Sequence, residues 1–250
     1  MGVALSRDLI SNSDCNVVLG LGRTGVSMLR HLSAQGLPCV GVDSRPEPPG
    51  IAQLRAEFPA VDFYLGELPG DVLLGAGRLH VSPGLALDIP EIASAVAAGV
   101  PLGGDIDLFC AAAAAPVVGI TGSNAKSTVT ELVGEMACAA RLRVAVGGNL
   151  GTPALDLLAS DIELYVLELS SFQLERSAEL GLAVAALLNL SEDHFDRHGD
   201  METYSAAKQR IFNGARVGIY NRQDARTQVR GDSPPGSISF GLDEPGAGKL

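Results

Sequence analysis

The sequence predicts an α/β protein of two domains, each built on a mostly parallel sheet. Two observations carry that prediction. Apolar runs of strand length alternate with helical periodicities along nearly the whole chain, the order that builds parallel sheets covered by helices. Two glycine-rich turns, GLGRTG at 20–25 and GITGSNAKS at 119–127, each stand between a strand and a helix. The 250 residues allow one large domain or two modest ones, and a hydrophobic content of 46% supports a sizeable core.

The first domain opens on a strand at 15–19, followed by Gly20-Leu21-Gly22-Arg23-Thr24-Gly25 and a helix at 26–35 with Val26, Leu29 and Leu32 on its apolar side. A second strand at 38–42 runs into Asp43-Ser44-Arg45. This βαβ unit, with G-x-G-x-x-G and an acid about twenty residues on, marks the domain as Rossmann-like. It leaves the nucleotide open: an NAD-dependent oxidoreductase and a non-catalytic nucleotide-binding module both fit it. The segment LPGDVLLGAGRLHVSPG predicts two further strand-like pieces, the last ending at Ser82-Pro83-Gly84. Helices are expected at 89–99 and 106–115, and a domain boundary at Gly103-Gly104 divides the chain into 1–104 and 105–250.

The second domain begins with the strand 117–120 and runs through Gly122-Ser123-Asn124-Ala125 into a helix with Val129, Leu132, Val133 and Met136 on one face. Strand, small-residue turn and helix in that order make a P-loop-type mononucleotide site. The helix start offers unpaired N–H groups and partial positive charge, Lys126 a mobile cation, and Ser127 or Thr128 a hydroxyl for Mg²⁺. The standard G-x-x-x-x-G-K-[ST] is not met. Ala125 precedes the lysine, and Ile120 stands at the first glycine. Helical dihedrals at 125 would make alanine harmless, and Ala125→Gly is then expected to change ATP affinity by less than about tenfold. The alternative is an ordinary glycine-rich turn with an exposed lysine.

Further strands are expected at 143–146, 163–169, 183–190 and 216–221, and ligands collect at the carboxyl ends of such strands. Those ends carry Asn149, Glu168 with Ser170, and His194, and a helix at 204–212 carries Lys208. Glu168 suits a Walker-B carboxylate, with a helix-capping acid as the alternative. Lys208 alone reads equally as a solvated helix lysine. His194 and His198 have H-x-x-x-H spacing, but Asp196-Arg197 and Gly199 predict a loop there, which weighs against zinc. The late GAGK at 246–249 has no helix after it and is set aside.

Composition narrows the partners. Net charge is −11, from 18 Lys+Arg against 29 Asp+Glu, which argues against nucleic acid and anionic membranes. Aromatic residues are 4% with no tryptophan, poor material for stacking single-stranded nucleic acid. Cys15, Cys39, Cys110 and Cys138 form no C-x-x-C and are expected to be buried reduced thiols. No apolar run reaches membrane-spanning length and no signal pattern opens the chain, so a cytoplasmic protein is expected; a monomer is expected as well.

Taken together, GLGRTG, VDSR, VSPGLAL, GDIDLFC, GITGSNAKSTVTELVGEM, GGNLGTPAL, LYVLELSSFQLE, NLSEDHFDRHG and YSAAKQRI resemble the Mur ligase family of peptidoglycan synthesis, in family order and over nearly the whole chain. SSFQLE resembles the member that adds D-glutamate. The resemblance implies that the first domain binds the UDP of UDP-N-acetylmuramoyl-L-alanine at Leu21, Arg23, Thr24, Asp43, Ser44, Arg45 and Gly84. Asn149 and Ser170 would contact the rest of that substrate. ATP would be held by Gly122, Ser123, Asn124, Ala125, Lys126, Ser127 and Thr128. Mg²⁺ would be held by Ser127, Glu168, His194 and, if carbamylated, Lys208. The catalytic set implied is Lys126, His194 and Lys208. The implied reaction is ATP-driven: the alanyl carboxylate takes the γ-phosphoryl group to give an acyl phosphate and ADP, and the amine of D-glutamate displaces phosphate. The family has a third, C-terminal domain. The tail SISFGLDEPGAGKL ends inside the central one, so a fragment that binds UDP-type ligands, binds ATP at most weakly and lacks turnover alone is expected.

Overall fold

The computed structural model describes residues 14–230 and 234–244, and the 246–249 stretch lies outside them. The chain separates into two compact units, one ending at Asp105 and one beginning at Ile106.

The first unit runs β1 (Asn16–Leu19), α1 (Arg23–Ala34), β2 (Cys39–Asp43), α2 (Ile51–Glu57), β3 (Asp62–Leu65), α3 (Gly70–Leu74), β4 (Arg78–Val81), α4 (Pro90–Ala97) and β5 (Leu102–Gly103). The strands pair in the order β3-β2-β1-β4-β5, all parallel. The order reverses at β1, so a crevice opens at the carboxyl ends of β1 and β4. Val17, Leu19, Val40, Val42, Leu79 and Val81 turn one sheet face into a core closed by Leu73, Ile92 and Ala95. The first of the two strand-like pieces in 68–84 is the helix α3: Pro69 stands at its N-cap and Asp71 in its first turn. Its apolar run is divided by helical geometry, with Val72 and Leu73 buried and Leu74 half exposed. The elements α2 and β3 are too short to have shown a period.

The helix α1 starts at Arg23, three residues earlier than its apolar pattern, because the turn is tighter than the pattern shows. Gly20 has φ +86, and a β-carbon on Gly25 would overlap the Gly20 carbonyl. Both glycines are required by that contact.

The second unit contains α5 (Asp105–Ala112), β6 (Val117–Thr121), α6 (Lys126–Ala139), β7 (Val144–Gly148), β8 (Leu164–Glu168), α7 (Ser171–Leu174), β9 (Val184–Leu187), α8 (Phe195–His198), α9 (Met201–Gln209), β10 (Val217–Asn221) and β11 (Ile238–Phe240). Its parallel strands take the order β11-β10-β9-β6-β8-β7. Several readings need correction here. The expected loop around His194–His198 contains the single-turn helix α8. On α6, Leu132 and Met136 are exposed, while Val129 and Val133 pack against the core and Thr130, Gly134 and Ala137 are buried. Small residues set that face. A β-carbon on Gly134 would come within 2.6 Å of Val146 Cγ2, so the helix lies too close to the sheet for large side chains. The four cysteines are free, but only Cys15 is buried and Cys138 is exposed.

His80 of β4 is buried, with Nε2 2.9 Å from Asn16 Oδ1. Its Nδ1 has no hydrogen-bond partner among the described residues. Burial first, then the charges of Arg78 and His31, pushes the imidazole down from 6.5 to about 4. The unfolded chain therefore takes up a proton that the folded state refuses. The contribution is complete above the unfolded value and is lost as pH falls toward the folded one. Denaturant titrations should show stability falling between pH 6.5 and about 4, by up to about 1.4 kcal/mol per pH unit. His80→Gln should flatten that slope.

Candidate functional site

Two clusters follow from these topologies. In the first unit, the crevice beside β1 and β4 is a cavity of about 400 Å³. Arg23, Thr24, Asp43, Ser44, Arg45 and Gly84 line it, together with Ser82 and Leu85, which the sequence did not single out. Leu21 does not line it: its side chain is buried, and its contribution is a backbone N–H donated to Asp43 Oδ2 at 2.7 Å.

Asp43 decides what this crevice can accept. Its carboxylate also takes hydrogen bonds from Arg45 N–H at 2.9 Å, Nε at 2.8 Å and Nη2 at 2.7 Å. Burial raises its pKa, but the Arg45 side chain, the two backbone donors and the Arg45 charge outweigh that and hold it below the usual carboxylate range. In a dinucleotide site this acid would accept a ribose hydroxyl. Here four donors already occupy it. Ser82 Oγ donates to Gly20 O at 2.6 Å and braces the glycine turn.

In the second unit, the parallel register aligns the carboxyl ends of neighbouring strands. Ile120 pairs with Glu168 on one side and Ala186 on the other, and Gly148 pairs with Glu168. Glu168 is 3% exposed. It is not a helix cap, since Ser170 caps α7 in a capping box with Gln173. Glu168 Oε2 accepts from Ser127 Oγ at 2.6 Å and Oε1 from Asn149 Nδ2 at 2.6 Å. The acid thus joins the phosphate-type loop to the β7 turn. Gly148 permits this contact, because it has φ +97 and a β-carbon there would lie 2.6 Å from Glu168 O.

Lys208 is not a solvated surface residue. It is 2% exposed, with Nζ donating to Gly122 O at 2.9 Å and Thr121 Oγ1 at 3.2 Å. Burial first, then repulsion from Lys126, lowers its amine from 10.5 to about 7. Tyr204, one helical turn earlier, lies under Lys208 with its ring centroid 5.0 Å from Nζ, and its hydroxyl is 3.0 Å from Ser123 Oγ. Burial raises the Tyr204 pKa. Thr121 and Tyr204 are neighbours of the candidate site that sequence reading missed: each is an ordinary strand or helix residue until the fold brings α9 under the loop.

His194 stands after β9 with φ +54 and a half-exposed side chain. Its ring centroid is 4.9 Å from that of Phe172 and 6.5 Å from that of Tyr204. His198 is buried with Nε2 2.9 Å from Ser171 Oγ. His198 also packs on Phe172 and Tyr204, at 5.3 Å between ring centroids in each case, so the two histidines flank the same pair of aromatic rings. Among the described residues, no group of three or more His, Cys, Asp or Glu could by itself hold a metal ion. A hard divalent cation at Glu168 and Ser127 would need nucleotide oxygens and water to complete its shell, which is how Mg²⁺ is ordinarily held. The oxygen donors present fit that cation.

The loop corrects the expectation for Ala125. Its φ is +64 and its ψ 10, a left-handed conformation at the N-cap of α6, not a helical one. Lys126, the next residue, donates from Nζ to Ser123 O at 3.0 Å. The N–H groups of Ser123 and Asn124 are already donated to Asn189, to O at 3.0 Å and Oδ1 at 2.9 Å respectively. A phosphate would therefore meet the amides that start the helix, at Ala125, Lys126, Ser127 and Thr128. An alanine in this region costs about 1–2 kcal/mol. Ala125→Gly should raise unfolding free energy by about 1 kcal/mol, after the greater flexibility of unfolded glycine is subtracted. Denaturant midpoints test this, and no gain would contradict the left-handed assignment.

Comparison with known proteins places this geometry. Residues 14–104 match the family described as Mur ligase MurD-like, N-terminal domain, and residues 120–248 match the Mur ligase middle domain. The chain is 57% identical over 238 residues to UDP-N-acetylmuramoylalanine–D-glutamate ligase of Pseudomonas aeruginosa PAO1, covering 95% of this chain and 53% of that one. The ligase of the same description from Marinobacter nauticus is 53% identical over 209 residues, 84% of this chain and 47% of that one. The chain thus spans about half the length of the curated relatives it matches. The solved UDP-N-acetylmuramate:L-alanyl-γ-D-glutamyl-meso-diaminopimelate ligase of Neisseria meningitides shares the fold, with a TM-score of 0.57 at 16% identity over 91% of this chain and 78% of that one. With both of its units matched in order by the two domain families, the chain belongs to the Mur ligases.

Proposed function

We propose that this chain carries the nucleotide-sugar and ATP sites of an ADP-forming amide ligase that adds D-glutamate to UDP-N-acetylmuramoyl-L-alanine. The observation that carries the reading is the meeting of Ser127, Glu168 and Lys208 on one glycine-containing loop at the carboxyl edge of the second sheet. Identity of 57% to a relative of that description supports the substrate.

Each group then has a task. The crevice beside β1 and β4 takes UDP, with the glycine turn allowing close approach to the diphosphate and Arg23 offering charge. Lys126 and the first amides of α6 hold the ATP phosphates. Glu168, Ser127 and His194 would hold Mg²⁺, which when bound neutralises charge on the transferring phosphoryl group. Asn149 and Ser170 border the same edge; both side chains are engaged, to Glu168 and Gln173, so their contact with the acyl substrate would be made by remaining lone pairs or by exchange of partners. In the reaction, a carboxylate oxygen of the alanyl group bonds to the γ-phosphorus as the bond to ADP breaks. The amine nitrogen then bonds to the acyl carbon, phosphate leaves with the electron pair of the C–O bond, and the nitrogen loses its proton. The occupied state of Asp43 weighs against the NAD-dependent alternative.

Ligand-induced thermal shift tests the assignment. UDP and Mg·ATP should each raise the midpoint and NAD should not. Lys126→Ala should remove the Mg·ATP shift and leave the UDP shift. A retained Mg·ATP shift, or stabilisation by NAD instead of UDP, would overturn it.

Lys208 carries a separate expectation. Carbamylation joins a neutral amine nitrogen to CO₂ and releases a proton, so it needs the uncharged form. An amine at about 7 is largely neutral just above neutral pH, and the neutral fraction grows as pH rises through that value. With ¹³C-bicarbonate, a carbamate carbon signal should strengthen between about pH 6 and 8 and be missing from Lys208→Arg.

A further inference from the structure

Ala125 is held in its unfavourable conformation from both sides. The peptide plane after it is pinned because its carbonyl accepts from Val129 N–H at 3.0 Å, the first bond of the helix. The plane before it is pinned because the Asn124 carbonyl accepts from Asn189 Nδ2 at 3.1 Å. The same amide accepts from Asn124 N–H through Oδ1 at 2.9 Å. The plane before a residue turns with that residue's φ, so a donor fixed on the Asn124 oxygen selects φ at 125. Nothing in an alanine side chain selects +64. A strained residue persists only where its surroundings over-determine it.

Asn189 is well placed to be that surrounding. It follows β9, whose Leu187 pairs with Thr121 at the end of β6. Its own carbonyl accepts from Ser123 N–H at 3.0 Å, so main chain and side chain both grip the loop. Only asparagine offers a donor and an acceptor at this reach; aspartate lacks the donor, and glutamine is one methylene longer.

We propose that Asn189 is a positioning residue for the phosphate loop: its amide brackets Asn124 and so keeps Ala125 left-handed, the arrangement in which the first amides of α6 meet a phosphate. This rests on the reading of 122–128 as the ATP site. It explains how the loop works without the glycine usual before the lysine.

The test is a double-mutant cycle on the whole chain, with Mg·ATP binding measured by titration calorimetry. Without the bracket, an alanine at 125 returns to negative φ and must be turned again on binding, whereas a glycine is not penalised. Asn189→Ala should weaken binding about tenfold or more beside Ala125, and less than about threefold beside Ala125→Gly. Equal losses in the two backgrounds would overturn the proposal. Asn189→Asp, which keeps the acceptor and removes only the donor to Asn124 O, should behave like Asn189→Ala; wild-type affinity would overturn it. A crystal structure of either single variant without nucleotide should show residue 125 at negative φ, and an unchanged positive φ would refute the bracket. Should the parent chain bind no Mg·ATP, the ATP reading fails alone, and the dihedral at 125 still decides the role of Asn189.

Discussion

The pairing of Ile120 with Glu168 on one side and Ala186 on the other is the constraint on which the second unit depends. A parallel sheet has no tight hairpins to set its register, so the register comes from which side chains must be buried. A slip of one residue would turn Val166 out of the core and carry Glu168 to the opposite face. In the register observed, Val118, Ile120, Val166 and Ala186 pack together, and the polar residue that ends β8 emerges beside the loop that ends β6. The placement of the acid is thus a by-product of burying its apolar neighbours.

Around that edge the electrostatics are arranged by partial desolvation. Lys208 is buried against a carbonyl and a hydroxyl, with Lys126 near enough to repel it. A carbonyl and a threonine oxygen solvate an ammonium poorly compared with water, so its charge is weakly held. In the first unit the opposite arrangement holds. Asp43 is buried too, but four donors surround it and it keeps its charge. One buried ion is matched and one is not, and the unmatched one lies where chemistry is proposed.

Two of the three non-glycine residues with positive φ among the described residues, all but Arg141, lie at the same edge. Ala125 and His194 both have positive φ, and both end segments that leave the carboxyl ends of adjacent strands. The two segments are tied together through Asn189, Ser191 and Ser123, with Asn124 Nδ2 donating to Ser191 Oγ at 3.1 Å. Each loop is therefore part of the mould in which the other is held.

The alternation of strands and helices, the glycine turns at 20–25 and 119–127, and the polar residues at strand ends were all legible in the amino-acid sequence, because they depend on local periodicity and local turn chemistry. Helix α3, strands β3 and β11, and the small-residue face of α6 were not, since short elements show no period and Gly134 reveals its purpose only against Val146. Lys126, Glu168 and His194 could be picked out by position along the chain. That Lys208 is buried, that Tyr204 lies beneath it, that Asp43 is consumed by Arg45 and that Ala125 is left-handed depend on partners 2 to 87 residues away. Sequence by itself determined which chemistry-bearing residues end the strands, because a strand's length and face are local properties. Tertiary structure decided which of them are charged, strained or already engaged, because desolvation and hydrogen-bond competition are set by neighbours that only the folded chain supplies.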